Sequence, residues 1–550
     1  MDLTCVADHA WRSLNQVMVF GAGVFVLLMF IVSTLGTPLV MWLYRRRVVA
    51  LMSARDDAER DEADADALPA HGAAKAAPLA TGQLAIEAAA RQKRLRNVLV
   101  AACAVYSLVA GLMMTFSPDV VLDAKAAAAL PDRTPLQWGL TVLFDALLVG
   151  ALCMPIVLIG TAHPRFTRLY WRRFVPLFLA AAALRWSVHT DGSEGATLGM
   201  AFIALFLGGC FVALFWVAVA RRHARQVAPL LNVLMGTLYA GMAGVLWVLL
   251  VVGRCADEAT LGFAVLAALV PALGTAWFAW RLVHWLSHRY ERKAVSDAQL
   301  QTGSWLLMLT VFVALAVLGF ERESSGPWLP LLLAANVVAL AVYAVGLQRV
   351  PAWPQPRSLL LLRVFAHDER GERLLDETAF RWRFIGPIHM IGGPDMAQQT
   401  LDPHELLAFI RGRARDQFVT TREQLAQRIE TLDLHPDPDR RYRVNELFCF
   451  ANVWQAGVQA LLARSDVVLL DLRGFTRRRD GTAYEIGLLA REGALPRTVC
   501  LVDEGTDVAA VQAIVAAQGH AGLDEARVLT ADGALDAKAL FSALAQAAST

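Results

Sequence analysis

The stretch Asp466-Val-Val-Leu-Leu-Asp471-Leu-Arg-Gly-Phe475-Thr-Arg-Arg-Arg-Asp480-Gly-Thr-Ala-Tyr484-Glu485-Ile-Gly-Leu-Leu gathers many of the side chains able to do chemistry. Its first half is a short apolar run flanked by acids, the pattern of a buried parallel strand. From Gly481 the spacing turns helical, and Tyr484, Glu485 and Leu488 fall on one side of the new helix. The loop between them leaves the carboxyl end of a strand, where open α/β sheets hold their ligands. Glu485, placed on the first turn of that helix, points into the crevice. A carboxylate there can stabilise developing positive charge or attack as a nucleophile. Phe475 and Tyr484 offer faces for stacking on a flat ring. Arg477–Arg479 match phosphate oxygens in shape and charge. The competing readings are plain ones: Glu485 as a solvated acid favoured by the helix dipole, Tyr484 as core packing, and the arginines as a solvated loop or a headgroup contact.

Gly481-Thr-Ala-Tyr484-Glu485-Ile-Gly487 resembles the Gly-Thr-x-x-Glu-x-Gly signature of nucleoside 2-deoxyribosyltransferase-like proteins. The strand end Val364-Phe365-Ala-His367-Asp368, taken with the later strand–loop–Glu unit, also resembles Toll/interleukin-1 receptor (TIR) domains. The resemblance covers about the last 190 residues. It implies a flavodoxin-like α/β domain in which the glutamate acts at the C1′ carbon of a ribosyl N-glycoside, so Glu485 is the catalytic candidate. Such a cleavage passes through an oxocarbenium-like sugar. Asp471 or Asp480 would then accept hydrogen bonds from ribose hydroxyls, Phe475 or Tyr484 would stack on the base, and His367 and Asp368 would join from the first strand's loop. The implied substrate is a nucleotide or nucleoside, NAD among them, with no bound cofactor. One departure stands out: the transferases keep an acid two positions before the first glycine, and Arg479 stands there.

At 550 residues the chain is long enough for several domains. It is 56% hydrophobic and 18% charged, with mean hydropathy +0.45; these are membrane values. A net charge of +2 implies no global electrostatic partner. The seven cysteines, at 5, 103, 153, 210, 255, 449 and 500, stand singly, against a zinc site or a disulfide framework. His389 and His404 have no second ligand at metal spacing and read as structural, so no metal is expected. There is no glycine-rich phosphate loop, no nucleophile elbow and no basic face interleaved with aromatics, which excludes those ATPase, hydrolase and nucleic-acid readings.

A membrane-spanning helix needs about 20 mostly apolar residues. Nine segments qualify, at about 17–43, 97–116, 138–160, 174–191, 196–219, 229–252, 260–284, 304–320 and 328–348. Alternate loops are rich in bases, at Arg45–Arg47, His163–Arg173, Arg221–Arg225 and Arg289–Lys293, and the others are poor. That asymmetry predicts an external N-terminus and a cytoplasmic C-terminal domain, and the arginine- and alanine-rich composition points to an inner, cytoplasmic membrane. Residues 51–82 read as an acidic cytoplasmic linker, and Arg91-Gln-Lys-Arg-Leu-Arg96 as a basic juxtamembrane helix against anionic headgroups or a topology signal only. Asp145 and Arg185 are ionisable residues within spans; they are expected to form an intramembrane ion pair or, alternatively, a ligand or ion site. Trp42, Trp138, Trp171, Trp285, Trp305 and Trp328 read as interfacial belts.

The predicted organisation is an N-terminal transmembrane helix (1–50), a cytoplasmic linker with its basic helix (51–96), a transmembrane helical domain (97–350), a Pro-rich linker (351–357) and a C-terminal domain (358–550). In the last, strands are expected at 358–365, 386–392, 466–472, 498–502 and 527–530. Helices are expected at 369–383, 401–411, 446–464, from 481, at 508–517 and at 535–547. Regular alternation of this kind predicts a mostly parallel sheet of about five strands. Three functions remain open: an N-glycoside hydrolase or transferase on a membrane anchor, a non-catalytic nucleotide-binding or self-associating signalling module, and a transporter or channel with a regulatory domain. The expected partners are the bilayer, a small nucleotide or nucleoside, and a further copy of the chain.

Overall fold

The computed structural model describes residues 83–116, 134–160, 166–188, 244–251, 261–320, 328–363, 369–392 and 418–549 apart from scattered positions, with further residues in 39–47, at 237, 241 and 242 and at 409. The expected span at 196–219 and the linker 51–82 lie outside the described residues, as do most of the spans at 17–43 and 229–252 and all but one residue of the helix at 401–411. The chain divides into two compact units, one holding residues 96–348 and the other residues 41–95, 349–401 and 405–550.

The first unit is helical. Its elements are α1 (Gln83–Thr115, whose first turns belong to the second unit), α2 (Pro135–Gly160), α3 (Phe166–Val188), α4 (Leu261–Glu291), α5 (Asp297–Phe320) and α6 (Trp328–Gln348). Among the described residues four helices are long and apolar enough to cross a membrane: α1, α2, α4 and α6. Helices α1 and α2 run antiparallel: Ser107 donates to the Cys153 sulfur at 3.6 Å, and Thr115 donates to Asp145 at 2.8 Å. Gly111 permits their approach, because a Cβ there would press on the Ala146 backbone. Tyr106 of α1 and Asn336 of α6 both hydrogen-bond the Thr310 hydroxyl of α5, whose own proton goes to the Leu306 carbonyl at 2.8 Å. In an apolar surrounding such a junction fixes which helix faces meet, since each polar group must find its partner inside the bundle.

The second unit is built on a parallel sheet of seven strands. These are β1 (Leu359–Arg363), β2 (Ile388–Gly392), β3 (Phe418–Val419), β4 (Val444–Cys449), β5 (Val467–Asp471), β6 (Thr498–Val502) and β7 (Arg527–Thr530), in spatial order β3-β4-β2-β1-β5-β6-β7. The helices are α7 (Glu369–Trp382), α8 (Arg422–Glu430), α9 (Trp454–Ala463), α10 (Asp480–Arg491), α11 (Val508–Ala516) and α12 (Ala537–Ala547). Helices α8 to α11 share one continuous core with Leu360, Leu362, Val468 and Leu470. Helices α7 and α12 pack on each other through Trp382 and Phe541, ring centroids 6.3 Å apart. Covered strands explain the unbroken apolar runs: every residue of β1, β2, β5 and β6 is buried.

Two expectations are corrected. The sheet has seven strands, not about five, because β3 and β4 extend its β2 edge. The helix expected over 446–464 is strand β4 followed by α9, and pairing with β2 through Ile388↔Val444 to Gly392↔Phe448 decides the first part against its helix-like spacing. Without the two extra strands the order reads β2-β1-β5-β6-β7, the doubly wound arrangement that reverses between β1 and β5.

The expected Pro-rich spacer ends inside this domain: Arg357 is buried and pairs with Asp466 at 3.5 Å, and Trp382 donates to the Arg357 carbonyl at 3.0 Å. Arg91, expected among headgroups, is also buried, its guanidinium 4.7 Å from the Trp353 ring centre, while Lys93, Arg94 and Arg96 are exposed. Gly386 sits against the Arg357 backbone so closely that any Cβ would strike that carbonyl. Gly386→Ala is therefore predicted to cost about 3 kcal/mol or more, read as a lowered unfolding midpoint of the C-terminal domain. An unchanged midpoint would show that the two backbones can separate freely.

Candidate active site

The site is defined by the point where the strand order reverses. There β1 ends in Arg363 and β5 in Asp471, and the two residues are register partners. Both are buried although charged. Asp471 is held by the fork of Arg473, whose Nε and Nη2 donate to its two oxygens at 2.7 Å each. The loop then turns through Gly474, whose φ of +69° suits a residue without Cβ. Its amide donates to Asp503 at 2.9 Å, tying the β5 loop to the β6 loop.

Helix α10 begins at Asp480, which places Glu485 in the second turn, not the first. Thr482, Glu485, Ile486 and Leu489 recur at helical spacing and are all buried, so Glu485 occupies a core-facing position. It is 2% exposed, and among the described residues its Oε2 has no hydrogen-bond partner. Burial pushes its carboxyl up to about 8, and the Arg363 guanidinium pulls the other way. The acid is accordingly protonated at neutral pH, because desolvation outweighs the attraction of the nearby cation.

Tyr484, one residue earlier, is part-exposed and meets Trp454 edge to face, with centroids 5.3 Å apart. Gly481 lies below the same indole, where an added Cβ would be 3.9 Å from it. Trp454 opens α9 after β4, so this aromatic pair also lies at the carboxyl end of the sheet.

The other expected residues are placed as follows. Asp480 is exposed in the first turn of α10. Phe475 is fully buried in the core under α10 and α11, and its carbonyl accepts from the Asp507 amide at 2.9 Å. Its ring therefore packs inside the protein. His367 and Asp368 lie outside the described residues. Asp145 is buried on α2 and accepts from Thr115; Arg185 belongs to α3, with its side chain outside the described residues. His389 is buried on β2 beside Asn445, 3.3 Å from its Nδ1, and burial holds it down to about 4, hence neutral. Arg363, Arg473 and Trp454 join the site without having been expected. A charge closing the leucine run 359–362 was the available signal for Arg363, and an arginine two residues after Asp471 that for Arg473. Trp454 gave none.

No family model, curated protein or solved structure matches this chain.

The buried acid gives a test of sign. Its proton is held more tightly in the folded chain than in the unfolded one, so folding binds protons between pH about 4.5 and about 8. Stability is thus favoured below pH 4.5, falls as pH rises through that window, and levels off above it. Glu485→Gln, a neutral isostere, removes this dependence. The stability of the wild-type domain relative to that variant should fall by a few kcal/mol from pH 5 to 8. A difference that is flat with pH would mean that Glu485 is ionised throughout.

Proposed function

We propose that the C-terminal domain binds a nucleotide or nucleoside at the carboxyl ends of β1 and β5 and cleaves or transfers at its N-glycosidic bond, NAD being the first substrate to try. The observation that carries this reading is Glu485: a buried acid, one oxygen of which has no partner among the described residues, at the switch point of a doubly wound sheet. A perturbed carboxyl in such a position has the properties of a working group. In the reaction the C1′–N bond breaks, the base leaves with the bonding electrons, and water or an acceptor hydroxyl forms the new C1′–O bond. The ionised carboxylate stabilises the oxocarbenium-like sugar or attacks it. Arg363 supports the ionised form, and so does a substrate whose leaving ring is cationic, as a nicotinamide N-glycoside is. Tyr484 and Trp454 supply an aromatic wall for the base.

The membrane part serves in this proposal as anchor and sensor, with the N-terminus outside and the α/β domain in the cytoplasm. Four helices of spanning length and the antiparallel α1–α2 pair support it.

With NAD as substrate, Glu485→Gln should lower turnover at least 100-fold while the variant still folds and inserts. For the wild type, kcat/KM should rise with pH and level off above about 8, because the active form is the deprotonated acid of the free enzyme. Turnover retained in the variant would refute the catalytic assignment. A second reading, a nucleotide-binding module without turnover, draws support from Arg479 at the position of the transferases' acid and from the engagement of Asp471 by Arg473. Nucleotide retained through purification, with no product after long incubation, would select it.

A further inference from the structure

The outer face of α4 changes character along its length. Leu266, Val270 and Leu273 are 63%, 71% and 68% exposed. From Trp277 onward the exposed residues become aromatic and basic. The Arg281 guanidinium lies 5.4 Å from the Trp277 ring centre, and Arg289 lies 5.4 Å from that of Trp285. Between them His284 packs on the Trp280 ring, centroids 4.6 Å apart, and its Nδ1 donates to the Trp280 carbonyl at 2.9 Å. That bond fixes the tautomer and leaves Nε2 as the ring's second polar atom.

We propose that the last turns of α4, built on the stacked pairs Arg281–Trp277 and Arg289–Trp285, form a binding site for anionic phospholipid headgroups. The inference rests on α4 as a spanning helix and is independent of the chemistry at Glu485. Length argues for the occupant. At about 1.5 Å per residue, the 31 residues of α4 reach about 46 Å. That exceeds a hydrocarbon core of about 30 Å, so its apolar part fills the core and its end emerges among headgroups.

Charge and shape argue the rest. A guanidinium presents a planar fork that fits phosphate oxygens, and an indole beneath it holds that fork in place. Indoles themselves favour the interfacial layer. A symmetric second copy on this face would set arginine against arginine, which disfavours it as the occupant.

The full-length chain reconstituted in nanodiscs of phosphatidylcholine with a minority of phosphatidylglycerol tests this, with retained lipids counted by native mass spectrometry. The wild type should hold phosphatidylglycerol several-fold above its share of the bilayer, and excess inorganic phosphate should not displace it. Arg281→Gln with Arg289→Gln should bring retention down to the bulk ratio. Arg281→Lys with Arg289→Lys, which keeps charge but loses the flat stack, should lie between. Circular dichroism and elution volume establish that each variant is folded. Equal retention of the two lipids by the wild type, undiminished enrichment in a folded glutamine variant, displacement by free phosphate, or a dimer that excludes lipid from this face would each overturn the proposal.

Discussion

One unfavourable placement governs the site: a carboxyl group at a core-facing position of α10, where its neighbours along the helix are Thr482, Ile486 and Leu489. An ionised acid in such a slot costs several kcal/mol unless it is paired. Here a cation on the adjacent strand end opposes the desolvation without overcoming it, and the proton stays. Sheet geometry makes the arrangement possible. The strand order reverses between β1 and β5, the place where doubly wound sheets hold ligands, and the turn through Gly474 leads from the carboxyl end of β5 into α10. The Asp471–Arg473 fork and the Asp503–Gly474 bond hold that turn, so the acid rests on a rigid frame.

The same economy of charge appears at the other pole of the sheet. Asp439 is fully buried yet kept low, because Arg441 grips it with two donors at 2.6 and 2.8 Å and Arg383 adds a second positive charge. Asp437 is likewise met by Arg443 at 2.9 Å. The contrast between Asp439 and Glu485 is informative. Where a buried acid has a forked partner it is a structural fixture; where its second oxygen has none among the described residues, its protonation answers to its surroundings.

Much of the α/β domain was legible in the sequence, because its central strands are covered on both faces and so read as unbroken apolar runs. The strands at Leu359–Arg363, Val467–Asp471 and Thr498–Val502 fall where those runs do. Strand β4 was hidden for the converse reason. Asn445 and Glu446 break its apolar run, and Asn445 stands opposite His389 in the sheet, 3.3 Å from its Nδ1. Helix α8 carried a signal that could have been read: Thr421 caps it by accepting from the Gln424 amide, with a glutamine at the capping-box position. Glu485 was legible as a candidate, but its burial was not. That follows from α10 starting at Asp480 and turning the 482–485–486–489 stripe inward. Phe475 looked available from its place in a polar loop, yet the closure of that loop over the Asp507 amide carries its ring into the core.

The most direct test of the central claim is the protonation state of Glu485 itself, read as the wild-type minus Glu485→Gln infrared difference spectrum of the full-length protein at neutral pH, with and without a nicotinamide nucleotide. The free protein should show a protonated-carboxyl band that is replaced by carboxylate absorption when the cationic ring binds. A carboxylate signal in the free protein, or a protonated band that the nucleotide leaves untouched, would contradict it.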